Sequence, residues 1–437
     1  MKSDMTENTN VRKAVVSSLV AFSKYDRYSN LEVSSALSKH SFSDADRRLY
    51  TRLVYGVIER EITLDCIISQ YSSRPIEKID LTTLSCIRMG LYQLLYSDKI
   101  PDHAAVSETV AVSPRASKGF VNAVLREFLR HNKRFSVPES KLGRLSVLYS
   151  CPEELCDFFI KSYGDETAEK ILSSLSSKAP VYIRANTLKT TAERLIGEVF
   201  ENSSVSDISP DMIVTDKVVF DADSSDWFVQ DLSSRLAVKA LGAKKGETVV
   251  DTCSAPGGKS FSIAIDMENE GEIYSFDLHA NKVSLIRKGA ERLGISIIEA
   301  SECDARSPQE QLVGKADRVL CDAPCSGLGV ISKKPEIKYK SLEHIERLPD
   351  VQLEVLKGAS KYVKEGGVLV YSTCTLNPAE NEGVVRRFLE SESDFAPAEF
   401  AFSDSLCSRE GMLTIFPYDI NSDGFFISKF TKKTDNK

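Results

Sequence analysis

The chain of 437 residues has no apolar run approaching the ~20 residues that a membrane helix needs. Its first residues, Met1-Lys2-Ser3-Asp4-Met5-Thr6-Glu7, lack the apolar core of a secretory leader. A soluble cytoplasmic protein is the expectation. No C-x-x-C pair occurs among its 10 cysteines. They are too sparse for a disulfide scaffold, and the Cys321–Cys325 spacing has no nearby His, so no metal is expected. A surplus of positive charge is missing too: Lys+Arg total 56 against 63 Asp+Glu, a net of −7. That excludes a uniformly basic coat but not a bound polyanion, because charge can be segregated along a chain. Here it is. Residues 1–140 hold 20 basic and 16 acidic residues, a net of +4, which leaves 36 against 47, a net of −11, for the rest.

What is present is ordinary globular material, 42% hydrophobic and 27% charged, long enough for two or three domains. Residues 1–138 read as an all-α bundle. Apolar side chains recur at helical spacing in Val11, Val15, Leu19, Phe22, in Leu49, Leu53, Val57, in Leu84, Ile87, Leu91, Leu94 and in Val121, Val124, Leu125, Phe128. Ser43-Asp44-Ala45-Asp46 offers N-cap candidates, and Pro75, Pro101 and Pro114 fall between helices. Residues 139–225 read as linker helices and a small α+β domain. The pattern predicts one helix over Cys156–Ser177, a strand at Val181–Arg184, a helix at Thr190–Val199, and a hairpin of Met212–Val214 with Val218–Phe220.

From 226 to 437 the pattern becomes α/β. Short apolar strands at Thr248–Val250, Glu272–Phe276, Ser296–Ile298, Arg318–Cys321 and Val368–Tyr371 alternate with helical runs. This predicts a parallel, Rossmann-like sheet covered on both faces, with its ligand crevice at the carboxyl ends of the strands. The first strand is followed by Cys253-Ser254-Ala255-Pro256-Gly257-Gly258-Lys259-Ser260. A P-loop would need glycine where Cys253 stands, and no G-x-G-x-x-G occurs, so triphosphate and dinucleotide sites are disfavoured. Asp277 after the second strand is placed for ribose hydroxyls, and Asp304 follows the third. A glycine turn with two such acids suits a nucleoside cofactor without phosphates, and S-adenosylmethionine is the natural candidate.

The fourth strand runs into Asp322-Ala323-Pro324-Cys325-Ser326-Gly327, and the fifth into Ser372-Thr373-Cys374-Thr375. A methyl donor beside two thiols suggests methylation at carbon 5 of a pyrimidine. That carbon is a poor nucleophile until a thiolate adds at carbon 6. A base must then remove the carbon-5 proton so that the thiolate can leave, while a carboxyl such as Asp322 at N3 stabilises the developing charge. Amino-group methyltransferases use an Asn/Asp-Pro-Pro-aromatic strip, which Asp322-Ala323-Pro324-Cys325 does not supply.

These three motifs, with Glu380-Asn381-Glu382, Arg184-Ala185-Asn186-Thr187 and Val229-Gln230-Asp231, resemble the Sun/NOL1/NOP2 (RsmB-type) RNA cytosine-C5 methyltransferases. The helical first part is similar to the NusB-like RNA-binding domain fused to the bacterial branch, and the small α+β part to an RRM-like domain. Ser254 and Ser260 depart slightly from the alanine and threonine more familiar there. The resemblance implies S-adenosylmethionine contacted by residues 253–259, Asp277, Asp304 and Asp322. It implies Cys374 as nucleophile and Cys325 as release base, although a Pro-Cys cysteine is the nucleophile in DNA enzymes. Lys259 is a further candidate to reach the cytosine.

The implied partner is small-subunit ribosomal RNA, naked or partly assembled, bound by a monomer with no role for DNA or a membrane. A DNA methylase would also need a target-recognition insert, and none is recognisable. Arg126, Arg130 and Arg134 lie in a strip (115–134) with six basic residues and one acid, and Lys333, Lys334, Lys338 and Lys340 form a second cluster. Both are candidate phosphate contacts. The alternative is a non-catalytic RNA-binding or ribosome-assembly factor on the same scaffold, which intact cysteines and crevice acids argue against.

Overall fold

The computed structural model describes residues 10–25, 29–177, 179–216 and 224–434. The Val218–Phe220 half of the expected hairpin lies outside them. The chain forms two compact units, one of residues 1–177 with 331–340 and the other of 178–330 with 341–437. Among the described residues no helix is long and apolar enough to cross a membrane.

Among its described residues the regular elements of the first unit are all helices. Side-chain caps open some of its helices: Ser43 Oγ accepts from Asp46 N at 3.2 Å, and Asp80 accepts from Thr83 N at 3.0 Å. In the helix Lys118–Arg130, Val121, Val124, Leu125 and Phe128 are buried, while Arg126 and Arg130 are exposed on the opposite face. Each buried apolar side chain of this kind contributes roughly 1.5–3 kcal/mol. The helix predicted over Cys156–Ser177 is in fact two, Glu153–Tyr163 and Asp165–Leu175. Gly164 separates them at φ 78°, a left-handed backbone that helix periodicity does not reveal.

Residues 331–340 also belong to this unit, which corrects one expectation. Lys338 is buried, donates to the Glu59 carbonyl, and is pushed down to about 8 by burial, so it is no phosphate contact. The next residue, Tyr339, donates to the Ile58 carbonyl at 2.9 Å.

Among its described residues the second unit holds two sheets and a two-stranded ribbon. β1 (Val181–Ala185), β2 (Ser204–Val205), β3 (Met212–Thr215) and β4 (Trp227–Val229) form an antiparallel sheet in the order β2-β3-β1-β4. The helix Ala192–Glu198 covers it through Leu195, which is buried with Ile183, Phe200, Ile213 and Trp227. The main sheet contains β5 (Thr248–Asp251), β6 (Glu272–Asp277), β7 (Ile298–Glu302), β8 (Ala316–Asp322), β9 (Val363–Thr373) and β10 (Phe395–Pro397). After a small β11–β12 ribbon (Ala401–Ser403, Leu406–Cys407) come β13 (Met412–Ile415) and β14 (Phe425–Lys432). The order is β10-β14-β9-β8-β5-β6-β7, with β13 on β14. β5 to β9 are parallel, and β14 is antiparallel to β9.

β7 starts later than Ser296, where the apolar pattern put it. Ser296 is taken up by Asn269, whose Oδ1 accepts from its N at 3.0 Å and whose Nδ2 donates to its Oγ at 3.1 Å. As an edge strand β7 needs no continuous apolar run. The chain leaves β5 toward β6 and β7, then returns to β8 on the other side. This reversal opens a crevice at the carboxyl ends of β5 and β8, the usual ligand position in such sheets.

The small sheet is fastened to the main one by buried charge. Arg184 on β1 and Arg235 on the helix Leu232–Leu241 share Asp211 and Asp266, with Arg235 at 2.7 and 2.5 Å and Arg184 at 2.5 and 3.1 Å. Asn186, also buried, donates to the Ser225 and Leu293 carbonyls, both at 2.9 Å. Arg184 and Asn186, singled out as a motif, thus hold two layers of the unit together.

Candidate active site

The crevice begins where β5 ends. Asp251 is fully buried, and its Oδ2 accepts from Ser260 Oγ at 2.6 Å, with Ser275 Oγ 2.9 Å beyond. Its Oδ1 has no hydrogen-bond partner. Burial pushes this carboxyl up to about 7; the Asp322 charge adds to the rise and the Ser260 hydrogen bond opposes it.

The next turn is shaped for close approach. Gly257 sits at φ 112°, and a Cβ there would meet the Phe261 ring at 2.3 Å. Ser254 donates from both N and Oγ to the Phe276 carbonyl, at 2.7 and 2.9 Å, tying the turn to β6. From below, Gln230 Nε2 donates to the Gly258 carbonyl at 3.0 Å, and its Oε1 accepts from Ser262 at 2.6 Å. Ala255 and Pro256 complete the turn, which leads into the helix Gly258–Asp266. The Ser254 and Ser260 departures both carry hydrogen bonds.

Lys259, the second residue of that helix, reaches across the crevice. Its Nζ lies 2.7 Å from Asp322 Oδ2 at the end of β8 and 5.3 Å from the Phe425 ring centre. Burial would lower its affinity for a proton, but the Asp322 charge and hydrogen bond outweigh that, helped by Cys374 and Asp251, and the ammonium is held above its ordinary value. Ser372 donates to the other Asp322 oxygen at 2.7 Å.

Beside this pair the two cysteines meet. Cys325 Sγ and Cys374 Sγ are 3.3 Å apart, with no disulfide between them. The hydrogen bond to Cys374 together with burial pushes the Cys325 thiol well up in this resting arrangement. Cys253 and Cys321 are raised by burial, the latter to about 12, which leaves them as packing thiols.

Cys374, Cys325, Asp322 and Lys259 are thus brought together, next to the 253–259 turn. Asp277 ends β6, mostly buried, accepting from His279 N at 3.1 Å. Asp304 follows β7 and is bound by Arg306, 2.7 Å away, which holds its carboxyl below the ordinary value. The basic candidates Arg126, Arg130, Arg134, Lys333 and Lys334 are all exposed residues of the helical unit. Arg126 donates to Asn122 at 2.9 Å, and Arg130 pairs with Glu127.

Two residues that stand in these motifs gain a role only from the structure. Asp251 is signalled in the sequence by its place at the end of the first strand. Glu380, buried within the motif after Cys374, has no such signal, because its partners come from three separate segments.

Comparison with known proteins matches these two parts to two families. Residues 238–431 match the 16S rRNA methyltransferase RsmB/F family, and residues 9–130 match the NusB family. The chain is 37% identical to the probable ribosomal RNA small subunit methyltransferase B of Bacillus subtilis (strain 168), covering 98% of this chain and 100% of that protein. Among solved structures, that of PH0851 is 26% identical with a TM-score of 0.79, over 98% of this chain and 100% of the other. That of NSun6 from Pyrococcus horikoshii with SFG is 25% identical with a TM-score of 0.58, over 66% and 100%.

Proposed function

This chain belongs to the ribosomal RNA small subunit methyltransferase B family, and from that premise we propose that it methylates carbon 5 of a cytosine in 16S ribosomal RNA through a covalent Cys374 adduct. The cofactor is S-adenosylmethionine. The turn fits it: the buried Asp251 Oδ1 has no hydrogen-bond partner of its own, and Gly257, at φ 112° with no side chain to clash with Phe261, lets the turn backbone lie close beside the crevice. Residues 253–259 and Asp277, Asp304 and Asp322 are its proposed contacts. When bound it supplies an electrophilic methyl group.

Cys374 attacks as the thiolate, and the nearby Lys259 ammonium favours that form. The new bond joins Sγ to carbon 6, and the electron pair of the 5,6 double bond moves to carbon 5. Asp322, held by Lys259 and Ser372, takes the N3 edge of the base and relays to it a proton from the Lys259 ammonium, which neutralises the negative charge that develops on the ring. After methyl transfer Cys374 is tied up in the adduct and no longer raises the Cys325 thiol; Cys325, its own proton first released to water, removes the carbon-5 proton as the thiolate. The C–H pair restores the double bond, and the Cys374 thiolate leaves. The single observation that supports this reading is the 3.3 Å approach of two unbridged thiols beside the Lys259–Asp322 pair.

The exposed cations of the helical unit are the proposed RNA contacts, carrying the part of the affinity that base recognition does not.

Tritium transfer from labelled cofactor to 16S RNA measures the reaction, and denaturing gels detect the adduct. Cys374→Ser is expected to lose activity by about 10³-fold or more and to form no adduct. Cys325→Ser is expected to accumulate a protein–RNA adduct that survives denaturation. Trapping by Cys374→Ser instead would reverse the two roles, and trapping by neither would sink the covalent route.

A further inference from the structure

Glu380 lies fully buried on the short turn between the Cys374 motif and the helix Glu382–Ser391. Its carboxylate collects four donors. Oε1 accepts from Ser326 Oγ at 2.5 Å and Asn377 Nδ2 at 3.0 Å, and Oε2 from Ser326 N at 2.9 Å and Gln352 Nε2 at 2.8 Å. Ser326 directly follows Cys325. Its hydroxyl also lies 2.6 Å from Thr375 Oγ1, and Thr375 directly follows Cys374. The residue after Cys325 therefore meets the carboxylate directly, and the residue after Cys374 is linked to it through the Ser326 hydroxyl.

Support for the two cysteine loops is unequal. On the Cys374 side, Asn381 donates to the Thr375 carbonyl at 2.9 Å and accepts from Thr373 Oγ1 at 2.6 Å, and Gly329 N donates to the Cys374 carbonyl at 3.0 Å. None of these bonds involves the Glu380 carboxylate, which reaches this loop through Asn377, whose N donates to Thr375 Oγ1 at 3.3 Å, and through the Ser326 hydroxyl. On the Cys325 side, Ser326 is held by Glu380 itself, and Pro324 by Gln352, whose amide donates to the Pro324 carbonyl at 2.9 Å and is anchored in turn on Glu380. Removing the carboxylate loosens the residues flanking Cys325 far more than those flanking Cys374.

We infer that Glu380 is a positioning residue that sets Cys325 against Cys374, so that its loss uncouples adduct release from adduct formation. This rests on the cysteine roles proposed above. Glu380→Gln is nearly isosteric, yet its amide nitrogen must face two donors where an oxygen accepted both. The step impaired is the transfer of the carbon-5 proton to Cys325, without which the C6–Sγ bond cannot break. Attack by Cys374 needs no contact of Glu380.

The test uses the full chain with S-adenosylmethionine and a 16S RNA transcript, comparing Glu380→Gln and Ser326→Ala with Cys325→Ser and Cys374→Ser. Turnover by Glu380→Gln is expected to fall about 100-fold, with a mispositioned group as the cause. Its adduct band is expected to rise toward that of Cys325→Ser, with cofactor affinity by calorimetry unchanged. Ser326→Ala, which removes a single donor, is expected to show the same pattern at about one tenth of the size. Loss of turnover without adduct in both, while Cys325→Ser accumulates it, would overturn the inference and leave Glu380 a structural residue. If Cys325→Ser fails to accumulate adduct, the cysteine roles themselves fail and the inference falls with them; that failure is seen in a different variant.

Discussion

Two of the buried charge clusters of the second unit are built differently. In the quartet of Arg184, Arg235, Asp211 and Asp266, two cations meet two anions, and each guanidinium contacts both carboxylates. Arg184 and Arg235 hold the Asp211 carboxyl below its ordinary value despite its burial. In the crevice, Lys259 faces Asp322 and, further off, Asp251, so one cation is shared by two acids, and one Asp251 oxygen has no hydrogen-bond partner. Balanced charge serves to fix one layer on another. Unbalanced charge, with an acid pushed up to about 7, is what a binding site keeps in reserve for a ligand.

The largest expected effect tests the balanced side. Arg184→Met removes one cation and leaves two acids to share Arg235. Breaking a buried ion network this way costs about 3–5 kcal/mol, readable by urea unfolding. Methyl transfer per folded molecule should change little, because none of the four touches the proposed reacting groups. A variant that folds as stably as the parent would mean that the quartet contributes nothing net, and the contrast would lose its structural half.

A smaller effect tests the unbalanced side through pH. The unfolded Asp251 carboxyl ionises near 4, whereas the folded one keeps its proton to about 7. Folding therefore takes up a proton between those values, and stability falls as pH rises through the window. Asn has no such proton. Between pH 5 and 7.5 the parent should lose about 2 kcal/mol more than Asp251→Asn, from roughly 1.4 kcal/mol per pH step spent within the window. Parallel pH profiles would show Asp251 ionised like the quartet acids and remove the distinction.

How far the sequence reaches divides along the same contrast. The helical bundle, the parallel strands and the turn after β5 announce themselves through local periodicity and spacing, and Cys325 and Cys374 through their place just past a strand end. The hidden features depend on contacts between distant segments. The break at Gly164 rests on one backbone angle, and the late start of β7 on Asn269 capturing Ser296. Burial of Lys338 requires knowing that residues 331–340 pack in the helical unit, which no lysine count can tell. Charge patterning registers how many cations a segment has, but not which are spent on their own fold.

That distinction frames the smallest expected effect on stability. Arg126, Arg130 and Arg134 are exposed, and the Arg130–Glu127 pair is a surface contact worth less than about 1 kcal/mol. Replacing all three with Glu should leave unfolding within about 0.5 kcal/mol per site. If these cations meet RNA phosphates, binding should nonetheless weaken, and the slope of log affinity against log salt should flatten by about 2–3, the counterions released by three contacts. Filter binding to 16S RNA across a salt series reads both quantities. Unchanged affinity and slope would make this strip a solvated helix face. Loss of affinity with an unchanged slope would point to altered folding of the helix rather than to lost phosphate contacts. The expected pattern, stability held while the salt slope drops, would set these cations apart from both buried clusters as charge kept for a partner.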